Sequence, residues 1–147
     1  MRRATAARKR AAAPPLSVRL EPSLVRALRD RARRAGQPIS RVIRDLLDES
    51  LRMQRHPGIT FVEGPAGRRA HLPGTGFDIW EVIELLREYG SAGALREHFP
   101  RLSLIAIHVA EAYAREYREE IDAFLKANAE APEDLRRKVP WLEVVRA

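Results

Sequence analysis

The side chains with the clearest chemical potential lie near the start of the chain. Leu16-Ser17-Val18-Arg19-Leu20 alternates with period two, so Leu16, Val18 and Leu20 share one face and Ser17 and Arg19 the other. An outward arginine fork fits the O6 and N7 acceptors of guanine, or serves as a phosphate contact. Just upstream, Arg8, Lys9 and Arg10 belong to a stretch of fifteen residues with five cations, no acid and no large apolar side chain. Such a stretch cannot bury enough surface to offset its ordering entropy, and reads as a flexible arm that either tracks phosphates or is only a solvated tail.

Other candidate chemistry is weaker. Asp78 and Glu81 resemble a carboxylate pair, but their spacing before an apolar run is that of a helix capping box. His56, His71, His98 and His108 have no paired metal-ligand spacing, and no Ser-His-Asp or Cys-His set is present. The glycines around Glu63-Gly64-Pro65-Ala66-Gly67 are not followed by Gly-Lys-Ser/Thr, and so read as a turn rather than a phosphate cradle. The expectation is therefore no enzyme, no metal and no cofactor. At the other end, Trp141-Leu142-Glu143-Val144-Val145-Arg146 is apolar where exposed tails are usually polar. Trp141, Leu142 and Val144, with Arg136, Arg137 and Arg146 for acidic groups, read as an anchor that docks on a partner or folds back on its own domain.

The charge of +7 is unevenly distributed: residues 1–55 carry fifteen Lys or Arg against five acids, a balance of +10, and residues 56–147 carry −3. The first block attracts a polyanion and the second does not. Zero cysteines, no span of eighteen uncharged apolar residues and no leucine-rich leader agree with a soluble cytoplasmic chain.

The elements positioning Ser17 and Arg19 follow from periodicity. Pro22 opens a helix with Leu24, Val25, Leu28 and Ala32 as its buried stripe, and Gly36 stops it. Pro38 starts a second helix striped by Ile39, Val42, Ile43, Leu46, Leu47 and Leu51. One short strand and two helices make too small a core to stand alone. A second copy completes it: two strands pair antiparallel about a twofold axis, and Ser17 and Arg19 of both chains face outward on a ribbon of major-groove width.

Past Arg55 the organisation changes, with five of the eight glycines falling between His56 and Gly76. Residues 59–62 and 68–72 flank the Gly-Pro-Ala-Gly turn as a hairpin. A helix follows from Asp78 to Gly90, striped by Ile79, Val82, Ile83, Leu86 and Tyr89. A short helix spans residues 91–98, and Ser103 caps one long helix striped by Ile105, Val109, Ala112, Tyr113, Tyr117 and Ile121. The expected fold class is mainly α: a ribbon-helix-helix dimerisation domain over residues 16–55, then a tri-helical domain with a small β-hairpin over 56–126, with an arm over 1–15 and a tail over 127–147. Residues 78–118 carry five Arg against seven acids, which favours protein over DNA as the partner of the tri-helical domain.

The run LSVRLEPSLVRALRDRARRAGQPISRVIRDLLDESL resembles the ribbon-helix-helix family of the Arc and CopG repressors in the spacing of strand, Gly and both helices. The resemblance implies that Ser17 and Arg19 read bases and that the backbone amides of Ile39 and Ser40 hold a phosphate. For Ser40 a bare helix-start hydroxyl is the competing reading. Pro15 replaces a frequent polar reader, and Pro38 removes one amide from the anion site. The stretch from His56 to Tyr113, with Gly90-Ser91 and Phe99-Pro100-Arg101-Leu102, is similar to the family described as domain of unknown function 433, although Gly74-Thr75-Gly76 lacks that family's flanking cations. The combination resembles VapB-type antitoxins, which implies a homodimer that binds double-stranded operator DNA and neutralises a PIN-like ribonuclease, in a larger hetero-oligomer or not. The competing reading is a stand-alone transcriptional regulator whose second domain binds a small molecule or another protein.

Overall fold

The computed structural model describes residues 14–64 and 67–138, with side chains to residue 129. Among them are six helices: α1 (Pro22–Ala35), α2 (Ile39–Arg55), α3 (Ile79–Tyr89), α4 (Ala92–His98), α5 (Leu104–Glu116) and α6 (Arg118–Lys138). Three strands, β1 (Thr60–Gly64), β2 (Gly67–Leu72) and β3 (Phe77–Asp78), form one antiparallel sheet in the order β1-β2-β3. None of the described helices is long and apolar enough to cross a membrane. The chain divides into two compact units, Met1–Arg44 and Asp45–Ala147, and the division falls inside α2.

In the first unit, α1 begins with proline in its first turn and ends at Gly36, whose φ of 61° is the left-handed conformation that glycine adopts without strain. The Gly36 amide donates to the carbonyl of Arg33, and the Gln37 amide to that of Ala32. Leu28, Ala32 and Val42 are the hydrophobic residues buried among those described in this unit. The rest of the expected stripe is not covered: Leu24 is 48% exposed and Val25, Ile39 and Ile43 are half-buried. The strand expected over Leu16 to Leu20 is absent, because residues 14–21 carry no regular structure. A lone strand in a single chain has no neighbour to satisfy its amides.

The second unit has a core of its own. Leu72, Ile79, Val82, Leu95, Leu102, Ile107 and Tyr113 are almost fully buried, joined by Ile59, Ala70, Ala110 and Ile121. The hairpin forms with Thr60 opposite His71 and Gly64 opposite Gly67. Strand β3 extends the expected hairpin to three strands, pairing His71 with Asp78 and Leu72 with Phe77. Ser91 accepts the Ala94 amide at 3.2 Å and Ser103 the Ala106 amide at 3.1 Å, which start α4 and α5 where expected.

The long third helix is the main correction: it breaks at Tyr117 into α5 and α6, giving this unit four helices after the sheet instead of three. No Gly or Pro marks the break. Its cause is tertiary, since ending α5 at Glu116 lets Ile121 bury against the core and Glu120 reach the Tyr113 hydroxyl. The α5 stripe also shifts, to Ile107, Ala110 and Tyr113, leaving Ile105 77% exposed. Helix α6 runs on through Pro132 to Lys138, so the segment expected as a tail from residue 127 begins as helix. Ala127, Ala129 and Ala131 suit that conformation, while Pro132 forfeits one ladder bond.

Candidate nucleic-acid interface and the polar network of the second unit

In the first unit Ser17 and Arg19 are exposed, but so are the apolar residues beside them: Leu16 is 88% and Val18 67% exposed. At the start of α2 the first helical bonds run from the amides of Arg41 and Val42 to the Pro38 carbonyl, at 3.0 and 3.2 Å. The amides of Ile39 and Ser40 therefore stand ahead of the ladder, as the first donors of any helix do. Ser40 is exposed and Ile39 half-buried. Arg8, Lys9 and Arg10 lie outside the described residues, as do Trp141, Leu142, Val144 and Arg146. Arg136 and Arg137 lie on α6, in the stretch for which only the backbone is described. The structure thus places Ser17 and Arg19 on one exposed segment.

The most developed polar geometry lies where composition gave no signal. The Arg52 guanidinium, on the last turns of α2, donates to the Tyr113 hydroxyl at 2.8 Å and to Glu120, and Tyr113 donates to the other oxygen of Glu120 at 2.8 Å. Asp48 stands 2.8 Å from Arg52 Nε, and the guanidinium lies 4.1 Å from the centroid of the Tyr117 ring. Burial works against the charge on Arg52, yet hydrogen bonds to Glu120 and Tyr113 hold its pKa above the usual arginine range. Burial, with the negative charge of Glu120, pushes the Tyr113 hydroxyl above the usual tyrosine range. Beside this triad, Glu116 accepts from His56 Nε2 and from Arg55, each at 2.8 Å, and these bonds, that to His56 first, hold its carboxyl below the usual carboxylate range.

Two further ion pairs fix the sheet. Glu49, buried on α2, takes the Arg68 guanidinium of β2 in a fork, with Nη2 to Oε2 at 2.7 Å and Nε to Oε1. Hydrogen bonding to Glu49 raises the Arg68 pKa despite partial burial. Asp78 is also buried, and its carboxylate accepts from Arg69 Nε and pairs with His71 Nδ1 at 2.9 Å. Its amide donates to Glu81 at 2.7 Å, so Glu81 caps α3 as its spacing implied, while the Asp78 carboxylate is drawn to the sheet. The register that sets His71 opposite Asp78, with Arg69 two residues away on the same face, was the available signal. These groups pair with one another across α2, the sheet, α5 and α6, which is the arrangement of a structural network. Among the described residues no cluster of three or more metal-ligating side chains occurs.

Compared with known proteins, the chain matches no family model, no curated protein and no solved structure. The two resemblances therefore rest on the residues quoted for them.

Proposed function

We propose that the chain is a dimeric ribbon-helix-helix DNA-binding protein that represses its own operon, and that its second unit and tail capture a protein partner, as in VapB-type antitoxins with PIN-like ribonucleases. The observation that carries the first half is the mismatch in the first unit. Among its described residues three hydrophobic side chains are buried, while Leu16, Val18 and Leu24 stand in solvent beside an amphipathic helix pair. A second copy pairing its own residues 16–20 with these would cover the apolar face and satisfy the free backbone groups. The same pairing would turn Ser17 and Arg19 of both chains outward, on the half of the molecule that carries +10. The second half rests on the negative balance of residues 56–147, which disfavours a second DNA surface, and on the resemblance.

Two measurements test it on the full chain: fluorescence anisotropy with DNA from upstream of its own gene, at several salt concentrations, and co-purification with the product of the adjacent reading frame. The reading expects salt-dependent binding by a dimer and a co-purifying protein with ribonuclease activity that the complex suppresses. DNA binding without such a partner would favour the stand-alone regulator. Failure of both would refute the proposal.

A further inference from the structure

An open cleft of roughly 310 Å³ lies within the second unit, between α3, α5 and the start of α6. Its floor is apolar: Ile83 and Ile121 are buried, and Leu86 and Ala114 half-buried. Its rim holds three guanidiniums, one from each helix, Arg87, Arg115 and Arg118, all exposed. Arg87 reaches Asp122 only at 3.5 Å. The guanidiniums of Arg115 and Arg118 make no hydrogen bond or ion pair among the described residues. Of the two acids on the rim, Asp122 faces Arg87, and Glu111 stands 4.0 Å from His108. The cleft therefore has a net positive edge, three arginines against two carboxylates, in a region whose overall balance is negative, since residues 78–118 carry five Arg and seven acids.

We infer that this cleft docks a short acidic segment of a partner protein, seating one apolar side chain on the floor while carboxylates pair with Arg115 and Arg118. Three features select this occupant. An apolar centre ringed by arginine is the anatomy of a protein-binding patch, and an arginine fork matches a carboxylate in two parallel hydrogen bonds. The cleft is open rather than enclosed, which fits a side chain presented by a backbone running over the surface better than a small molecule that must be enveloped. The surrounding negative balance repels a nucleic acid, whose charge extends over many phosphates, while two or three carboxylates need only the local arginines. The inference rests on the proposal that the second unit binds protein, and adds where and by what chemistry.

The test uses the full chain and a fluorescein-labelled twelve-residue peptide with Asp or Glu at every third or fourth position and leucines between, followed by anisotropy and by amide shift mapping. Shifts are expected in residues 83–87, 111–115 and 118–122. The double variant Arg115→Glu/Arg118→Glu, at two exposed positions, should keep the wild-type melting temperature and weaken the peptide at least tenfold. A peptide with serine for leucine should bind more weakly, while affinity for upstream DNA stays unchanged. Equal peptide affinity in wild type and double variant, or shifts outside the cleft, would overturn the inference, as would loss of DNA binding in the variant, which would make the rim a phosphate contact. Arginine-dependent peptide binding by a chain that binds no DNA would leave this inference standing and refute the autorepressor.

Discussion

Leu16→Ser is the perturbation that presses hardest on the proposed dimer, because in the single chain it should cost almost nothing. Leu16 is 88% exposed, so the monomer forfeits little burial when it is lost. In a ribbon whose inner face rests on the helices of both chains, the same side chain becomes core. Burying a leucine contributes about 1.5–3 kcal/mol, and the twofold axis counts it twice, so the variant dimer should lose about 3–6 kcal/mol. At about 1.4 kcal/mol per decade, the dissociation constant should rise by roughly two to four orders of magnitude. Ser17→Ala, one residue along on the opposite face, should leave that constant within a few-fold of wild type. Sedimentation equilibrium gives the constants, and melting temperature measured over two decades of protein concentration gives an independent check, since a dimer that folds on association melts higher when concentrated. A wild-type chain that sediments as a monomer with a concentration-independent melting temperature refutes the reasoning. So does a Leu16→Ser variant that dimerises as tightly as wild type.

Three further predictions follow from named contacts. Arg19→Ala should relax preference at one base position per half-site by about 1–3 kcal/mol, read by competition among single-base operator variants; equal weakening for every sequence would make Arg19 a phosphate contact. A fragment beginning at Asp45 should be more stable than one beginning at His56 by about 3 kcal/mol or more in urea unfolding, because the shorter one leaves Arg68 without Glu49, and Glu120 and Tyr113 without Arg52; equal midpoints would show those pairs to be dispensable. The depressed pKa of Glu116 makes its contribution fully present above the ordinary carboxylate pKa and lost as pH falls through the lower folded value. Glu116→Gln should therefore flatten the loss of stability between neutral and acid pH, and an unchanged acid limb would remove Glu116 from the account.

What could be read from sequence was what the backbone decides locally. Pro22, Gly36, Ser91 and Ser103 act within one turn of themselves, through a fixed φ, a left-handed φ or a hydroxyl within reach of a free amide, so helix starts and stops emerged where expected. The hairpin was legible for the same reason, its alternation and its glycines lying within a dozen residues. The break at Tyr117 was not. The apolar pattern continues through it, and the groups that reward it, Arg52 with Tyr113 and Glu120, are joined across 61 and 68 residues. Periodicity reports which side of a helix is apolar and is silent about which distant partner makes ending the helix worthwhile. That limit also misplaced the stripe of α5, where Ile105 reads as core and stands in solvent.

The candidate sites divide along the same line. Ser17 and Arg19 could be nominated because period-two alternation fixes which side chains share a face, whatever later covers the other face. In the proposed dimer the covering is intermolecular, and the single chain shows only its uncovered side: Leu16 and Val18 in solvent, with no strand over residues 16–20. The arginines of the cleft carried no sequence signal, because Arg87, Arg115 and Arg118 come from three helices and are unexceptional within each. They converge because α6 turns back toward α3 after Tyr117, so the break that periodicity missed also assembles the cleft. The proposed partner surface and the error in helix count thus have one physical origin. A substitution that straightens the α5–α6 junction, unlike one on the rim, should therefore abolish the peptide-binding cleft and destabilise the Arg52–Tyr113–Glu120 network together.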